Sequence, residues 1–326
     1  MPILNWLLED DYRGIYSLML FVQHCIQTKK VLNKDKKNIY MQGKKELSVS
    51  LDINPNYSYT EKELELIQNF DFFLSKYNTA QKKAIISSAE KILCVAGAGS
   101  GKTSVLTKRI EFLTQFKSVE ASNILAITFT RKARAEVMNR LAKNPFCNGI
   151  NIETFNSFSE RILGKYGNIL YTRKIRFVSF DEKIKLLNLA LNDLGTDFHS
   201  AIDMYFSIGE KRGRTNEELI IIFTNDCFFV LDYCKNHNKN IDDAFNINGV
   251  HKDNSKLISF VYRICSNIQR LMNEYGLRDY SDQLVDCLSL FRTFTQTIPC
   301  YKHILIDEYQ DINCVQEELI NVLSPI

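Results

Sequence analysis

Several features are missing from this sequence, and each absence excludes something. No two of the nine cysteines stand at C-x2-C spacing, and the five histidines show no ligand spacing. A zinc site and a disulfide framework are therefore both disfavoured, and reduced thiols of a cytoplasmic protein are expected. The longest apolar run near the N-terminus, about Ile15 to Ile26, is broken by Ser17, Gln23 and His24. A bilayer span needs about 20 apolar residues. Glu9, Asp10 and Asp11 precede that run, where a secretory signal would be basic. A soluble protein with no membrane partner is expected. A formal net charge of +3 is too small to mark a nucleic-acid binder, so any such surface must come from local clustering. With 326 residues, 45% of them hydrophobic, the chain can bury a large core in two or three domains.

What is present is organised around Cys94 to Thr103. Ile92 to Ala96 reads as a buried strand, and a turn carrying Gly97, Gly99 and Gly101 follows. A helical pattern begins at Lys102, with Val105, Leu106, Ile110 and Leu113 on one face. Strand, glycine-rich turn and Gly-Lys-Thr at a helix start make up the context of a phosphate-binding loop. Glycines let successive N–H groups point at one anion, and the helix N-terminus adds its own. The nucleotide-binding set is thus Ala96, Gly97, Ala98, Gly99, Ser100, Gly101, Lys102, Thr103 and Ser104. Lys102 is expected to reach the β- and γ-phosphates, and the Thr103 hydroxyl to hold Mg²⁺. Ala96 stands where the general consensus has glycine.

Upstream, residues 1–60 carry no motif with a recognisable chemistry. Their lysines from Lys29 to Lys45 are either a solvated face or a contact for DNA or a partner. Asn54-Pro55-Asn56 marks a turn, and a helix is expected from Thr60 to Leu74. Asn78 has the character of a helix N-cap. Gln81 is either a reader of an adenine edge or an ordinary solvated glutamine.

Downstream, Asn123–Phe129 and Ile150–Thr154 read as further buried strands, each ending in Thr-Phe plus polar residues. The C-terminal ends of strands in a parallel α/β sheet form its ligand crevice. Phe129 and Phe155 would either stack bases there, with Arg131 and Lys132 on phosphates, or plug the sheet edge. From 159 to about 295 the alternation gives way to helices near Asp181–Leu194, Glu217–Asn236 and Lys256–Glu274. Gly209 to Arg214 is a basic loop, and Asn236 to Asn254 a polar excursion. His303–Ile306 is an apolar strand running into Asp307 and Glu308. Asp307 can hold Mg²⁺ opposite Thr103, and Glu308 can orient and deprotonate a water. An acidic cap on the next helix is the bland alternative.

Together these residues resemble the UvrD/Rep family of superfamily 1 DNA helicases. Asn78 and Gln81 are similar to its adenine-reading Q motif, and Ala96 to Thr103 to its phosphate loop, leading alanine included. Thr128 to Ala133 resembles motif Ia, and Thr154 to Phe158 motif Ib, with Asn156 in place of the usual histidine. Asp279 to Leu284 is similar to the acidic-aromatic signature before motif II, and Asp307 to Asp311 to motif II itself. Arg131-Lys132-Ala133 leans towards the helicase IV branch.

The resemblance, over roughly residues 70–326, implies a RecA-like P-loop NTPase sheet of α/β class. Residues 61–158 and 296–326 would form it, with 159–295 as an inserted all-helical subdomain and 1–60 as an appendage. It implies ATP and Mg²⁺ as cofactors. Glu308, Lys102 and Gln310 would be catalytic, and Gln81 would join the nucleotide site. Thr103 and Asp307 would hold the metal. Thr128, Phe129, Arg131, Lys132, Thr154, Phe155 and Asn156 would contact DNA. The implied partners are single-stranded DNA, a duplex junction, and a C-terminal helicase half in the same or a separate chain. That half would supply the γ-phosphate sensor and arginine fingers. The expected activity is 3′→5′ translocation driven by ATP. The rival expectation is a truncated or split-gene product that binds ATP or DNA without turnover. A P-loop kinase or GTPase would not explain Thr-Phe endings on successive strands.

Overall fold

A computed structural model of the chain describes Glu65, residues 67–97, 99–239, Ile241 and residues 255–324. The appendage 1–60, most of the 236–254 excursion and Ala98 lie outside the described residues. Residues 59–326 form one compact unit.

At its centre is a parallel sheet of three strands. These are β1 (Ile124–Thr128), β2 (Asn151–Thr154) and, after the intermediate elements β3 and β4 given below, β5 (His303–Ile306). The order is β2-β1-β5. Leu125 pairs with Asn151 on one side of β1 and with Ile304 on the other. All five residues of β1 are buried, as a strand covered on both faces requires.

Because alternate side chains leave a strand on opposite faces, β1 feeds two cores. Leu125 and Ile127 pack with Phe155, Phe158 and Ile162 of the helix Phe155–Leu170, and with Leu288 and Phe291 of Tyr280–Thr293. Ile124 and Ala126 pack with Ile110 and Leu113 of Lys102–Phe116, and with Val137 and Leu141 of Arg131–Leu141. A third cluster of Leu74, Ile85, Ile86 and Phe112 covers the outer side of Lys102–Phe116, with Val105 against it. The apolar residues of that helix thus serve two opposed layers rather than one face. Side-chain caps fix the helix starts beside the strands. Thr130 accepts from the Ala133 N–H, Thr154 from Ser157 and Asn313 from Gln316. Each such cap is worth about 1 kcal/mol.

Between these elements the chain leaves the sheet through helices Phe180–Asp193, Phe198–Tyr205, Ile208–Lys211, Asn216–Asn236 and Ser255–Tyr275. The long ones lie within a residue or so of their expected positions. Of the loop expected over Gly209 to Arg214, residues 209–211 belong instead to the helical turn Ile208–Lys211, behind a Ser207–Glu210 capping box. One short parallel ladder joins this region, β3 (Arg176–Phe177) against β4 (Leu277–Arg278).

One expectation is corrected. Ile92 to Ala96 is not a buried strand: the segment belongs to no sheet, and Leu93 and Val95 are 61% and 73% exposed. Apolar, β-branched residues favour a strand only when a neighbour completes the ladder. In the sheet order β2-β1-β5 no strand pairs with this segment. Of the helix expected over Thr60–Leu74, helical turns are present at 67–69 and Asp71–Leu74, and 60–64 lie outside the described residues. No disulfide joins cysteines among the described residues, and Cys147, Cys227, Cys234, Cys265 and Cys287 are buried.

Candidate nucleotide site and strand surface

The glycine-rich turn has the backbone its sequence demands. Gly99 and Gly101 lie at φ +74° and +88°, in the left-handed region that side chains rarely adopt. Gly101 is also constrained by space, since a Cβ there would sit 3.3 Å from the Gln81 amide nitrogen. It caps the helix Lys102–Phe116 directly.

Gln81 grips this turn. Its Nε2 donates to the Ser100 carbonyl at 2.9 Å, while its Oε1 accepts from the Asn78 N–H at 3.0 Å. The Asn78 side chain in turn accepts from the Gln81 N–H at 3.0 Å, which completes a capping box. Both ends of the Gln81 amide are therefore engaged with protein. Sequence reasoning missed two supports. The Tyr77 hydroxyl lies 3.1 Å from Ser104 Oγ. Arg109 donates to the carbonyls of Ala84, Ile85 and Ser87, tying the helix Thr79–Ile86 to the phosphate-loop helix. A cationic side chain inside an amphipathic helix was the only signal for Arg109.

The fold brings the two acidic residues after β5 to the same place. Thr103 Oγ1 donates to Asp307 Oδ2 at 3.2 Å, and Lys102 Nζ is 3.3 Å from Glu308 Oε2. Asp307 is buried, and burial raises its carboxyl above the ordinary range, with Glu308 adding to the rise. Glu308 is held below the ordinary range, first by the Gln310 amide that donates to its carboxylate and then by Lys102. Its backbone is left-handed at φ +53°, an uncommon conformation outside glycine that clusters at functional sites. It turns the chain so that the neighbouring carboxylates diverge: Asp307 meets Thr103 and Glu308 meets Lys102.

Among the described residues no group of three or more His, Cys, Asp or Glu could hold a metal unaided. Thr103 and Asp307 offer two hard oxygen donors side by side. That fits Mg²⁺, which binds through one or two carboxylates and completes its shell with water and substrate phosphates.

The expected strand surface divides in two. Phe129, at the end of β1, is 47% exposed, and Arg131 and Lys132 are exposed at the start of the next helix. The others turn inward. Thr128 is fully buried, its hydroxyl donating to the Thr130 carbonyl at 3.3 Å. Thr154 is buried as a helix cap. Phe155 corrects the idea of a second exposed ring: it is 4% exposed and lies in the core with Leu125, Ile127 and Phe158. As the first residue after the Thr154 cap, it is carried onto the sheet face. Asn156 Nδ2 donates to the Tyr280 carbonyl at 2.9 Å and to Gln283 Oε1 at 3.3 Å. The acidic-aromatic signature is thereby joined to the end of β2.

Comparison with known proteins adds the following. A family model described as the UvrD/REP helicase N-terminal domain matches residues 77–325. The chain is 29% identical over 261 residues to the ATP-dependent DNA helicase UvrD1 of Mycobacterium tuberculosis, covering 78% of this chain and 31% of that protein. It is 30% identical over 258 residues to a probable DNA helicase II homolog of Rickettsia conorii, covering 77% and 35%. It is 28% identical over 255 residues to the ATP-dependent DNA helicase PcrA of Leuconostoc citreum, covering 76% and 31%. The chain thus spans about a third of the length of these relatives.

Proposed function

Because the chain belongs to the UvrD/Rep helicase N-terminal domain family, we propose that it is the ATP-binding part of an ATP-dependent DNA helicase moving 3′→5′ on single-stranded DNA. The observation that carries this reading is the double pairing of Thr103 with Asp307 and Lys102 with Glu308. Phosphate-binding and acidic elements, far apart in sequence, meet through these two contacts, which supports a role in nucleotide hydrolysis.

In this reading the N–H groups around Gly99 to Lys102 receive the phosphates, and Lys102 leaves Glu308 for the β- and γ-phosphate oxygens. Thr103 and Asp307 would hold Mg²⁺, which would supply positive charge to the phosphates. Glu308, released from Lys102 and steadied by Gln310, orients the attacking water and takes its proton. Gln81 turns from the Ser100 carbonyl to the adenine edge. Phe129, Arg131, Lys132 and Asn156 receive the single strand. Residues 61–158 and 296–326 form the ATPase part, and 159–295 the insertion. The arginine charge on the γ-phosphate comes from a second RecA-like domain. The relatives are named as ATP-dependent DNA helicases, which supports the activity class.

Isothermal calorimetry of residues 1–326 with ATP, with and without Mg²⁺, tests the nucleotide assignment. Mg²⁺-dependent binding lost in Lys102→Ala is the expected result. Equal affinity in the wild type and variant would refute it.

A further inference from the structure

The end of the helix Asn216–Asn236 meets the starts of two other helices. Lys235, in its last turn, lies 2.7 Å from Asp279 Oδ2 and 2.8 Å from Asp282 Oδ1, and all three side chains are largely shielded from water. Both aspartates belong to the capping box that opens Tyr280–Thr293. A cation at a helix C-terminus and anions at an N-terminus each suit the local dipole, so the two helix ends are held against each other. Asn236, the next residue, donates its Nδ2 to Asp232 Oδ2 at 3.1 Å, and its Oδ1 lies 3.3 Å from the Ser281 hydroxyl. Its side chain is thereby fixed from two sides.

The same Oδ1 accepts from Asn313 Nδ2 at 2.9 Å. Asn313 caps Cys314–Leu323: its Oδ1 accepts from the Gln316 N–H at 2.9 Å, and its own N–H donates to Gln316 Oε1 at 3.0 Å. Nearby, Asn238 Nδ2 donates to Glu318 Oε1 of that helix at 2.9 Å. Between β5 and Asn313 lies only the short turn that carries Glu308. On one side the Asp307 N–H donates to the Ile127 carbonyl at 2.9 Å, which ties the turn to the sheet. On the other the Asp311 N–H donates to the Glu308 carbonyl at 3.0 Å, and the chain then enters the Asn313 cap. A left-handed backbone such as that of Glu308 persists only where its surroundings fix it. One of its two anchors is thus braced by Asn236, from the helical region between β2 and β5.

We propose that Asn236 is a positioning residue for Glu308: through Asn313 it fixes the far side of the turn, so that the helical region helps to set the carboxylate paired with Lys102. The ion pairs of Lys235 hold the helix end from which Asn236 reaches across. This inference rests on the reading of Glu308 as the group that orients the attacking water.

Removing Lys235 would leave two carboxylates uncompensated in the interior and endanger the fold, so the test cuts the link nearer to Glu308. Asn236→Ala removes the acceptor. Asn313→Ser keeps a helix cap but is too short to reach Asn236. Hydrogen–deuterium exchange of the full chain, read by mass spectrometry, should show amides 309–312 exchanging roughly fivefold faster in either variant, as the loss of one hydrogen bond implies. Strand β1 and the helix Cys314–Leu323 should exchange as in the wild type, and the double variant should be no faster than either single one. The slow phosphate release expected of residues 1–326 should fall severalfold with KM for MgATP unchanged. Unchanged exchange at 309–312, or faster exchange spread equally over β1 and the capped helix, would overturn the proposal. A loosened turn with unaltered turnover would overturn it too. Absence of Mg²⁺-dependent ATP binding by the wild type would instead overturn the nucleotide reading, while the exchange result would still decide the link between Asn236 and the turn.

Discussion

Thr103 and Asp307 are 204 residues apart in the chain, yet the threonine hydroxyl donates to the carboxylate at 3.2 Å. That bond brings the start of the helix at Lys102 against the end of β5 and sets two oxygen donors side by side. Substituting either side therefore has a predictable signature. Thr103→Val keeps the shape and removes the hydroxyl. It should lower affinity for MgATP while leaving the weaker affinity for metal-free ATP unchanged. Calorimetry with and without EDTA reads this, and equal losses under both conditions would contradict the metal assignment.

The two phenylalanines that end adjacent strands should behave differently. Phe155→Ala removes a core ring and should cost about 3–5 kcal/mol of stability, seen as a lower urea midpoint. Phe129→Ala should leave the midpoint within about 0.5 kcal/mol of wild type and weaken oligo(dT) binding severalfold. A stability loss at Phe129 as large as at Phe155 would show that its ring is structural.

Turnover by residues 1–326 should be slow even with single-stranded DNA. An arginine finger is worth about 10³–10⁵ in rate, and the proposed mechanism draws it from another domain. Adding a C-terminal helicase half should restore DNA-stimulated hydrolysis, and Glu308→Gln should then remove it. Strong DNA-stimulated turnover by this chain alone, in a steady-state phosphate-release assay, would refute the division of labour.

His303 opens β5 half-buried, and burial lowers its pKa, with Arg109 and Lys302 adding to the shift. The unfolded chain, near the ordinary 6.5, then binds the proton more readily than the fold does. Stability should be complete above about pH 6.5 and fall as pH drops below it. His303→Gln should flatten that part of the profile in urea unfolding between about pH 5 and 8. Parallel profiles would exclude His303 as the source.

Much of the site was legible because its signals are local. Glycines at 97, 99 and 101 before Lys102 specify a turn and a helix start within a few residues. Asn78 announces its helix through a cap three residues long. What escaped the sequence depends on neighbours distant in the chain. Ile92 to Ala96 has the composition of a strand, but composition does not supply a ladder partner. Phe155 and Phe129 follow the same Thr-Phe pattern, and only the helix that starts at Phe155 decides that its ring goes inward. The β3–β4 ladder joins residues 176 and 277 through two residues each, too few to show a period. Tyr280 could be read as part of an acidic-aromatic signature, but its bond to Asn156 required the fold.

The sheet ends at β5, and Ile92, Leu93 and Val95 lie in water outside any ladder. Among the described residues β5 leaves one row of amide and carbonyl groups without a strand neighbour. Such an edge accepts almost any extended chain, including another copy of itself. At high concentration the isolated chain should therefore be kept in solution by kinetics as much as by equilibrium. Slow light-scattering growth, with a lag that shortens on seeding, is the behaviour this edge favours.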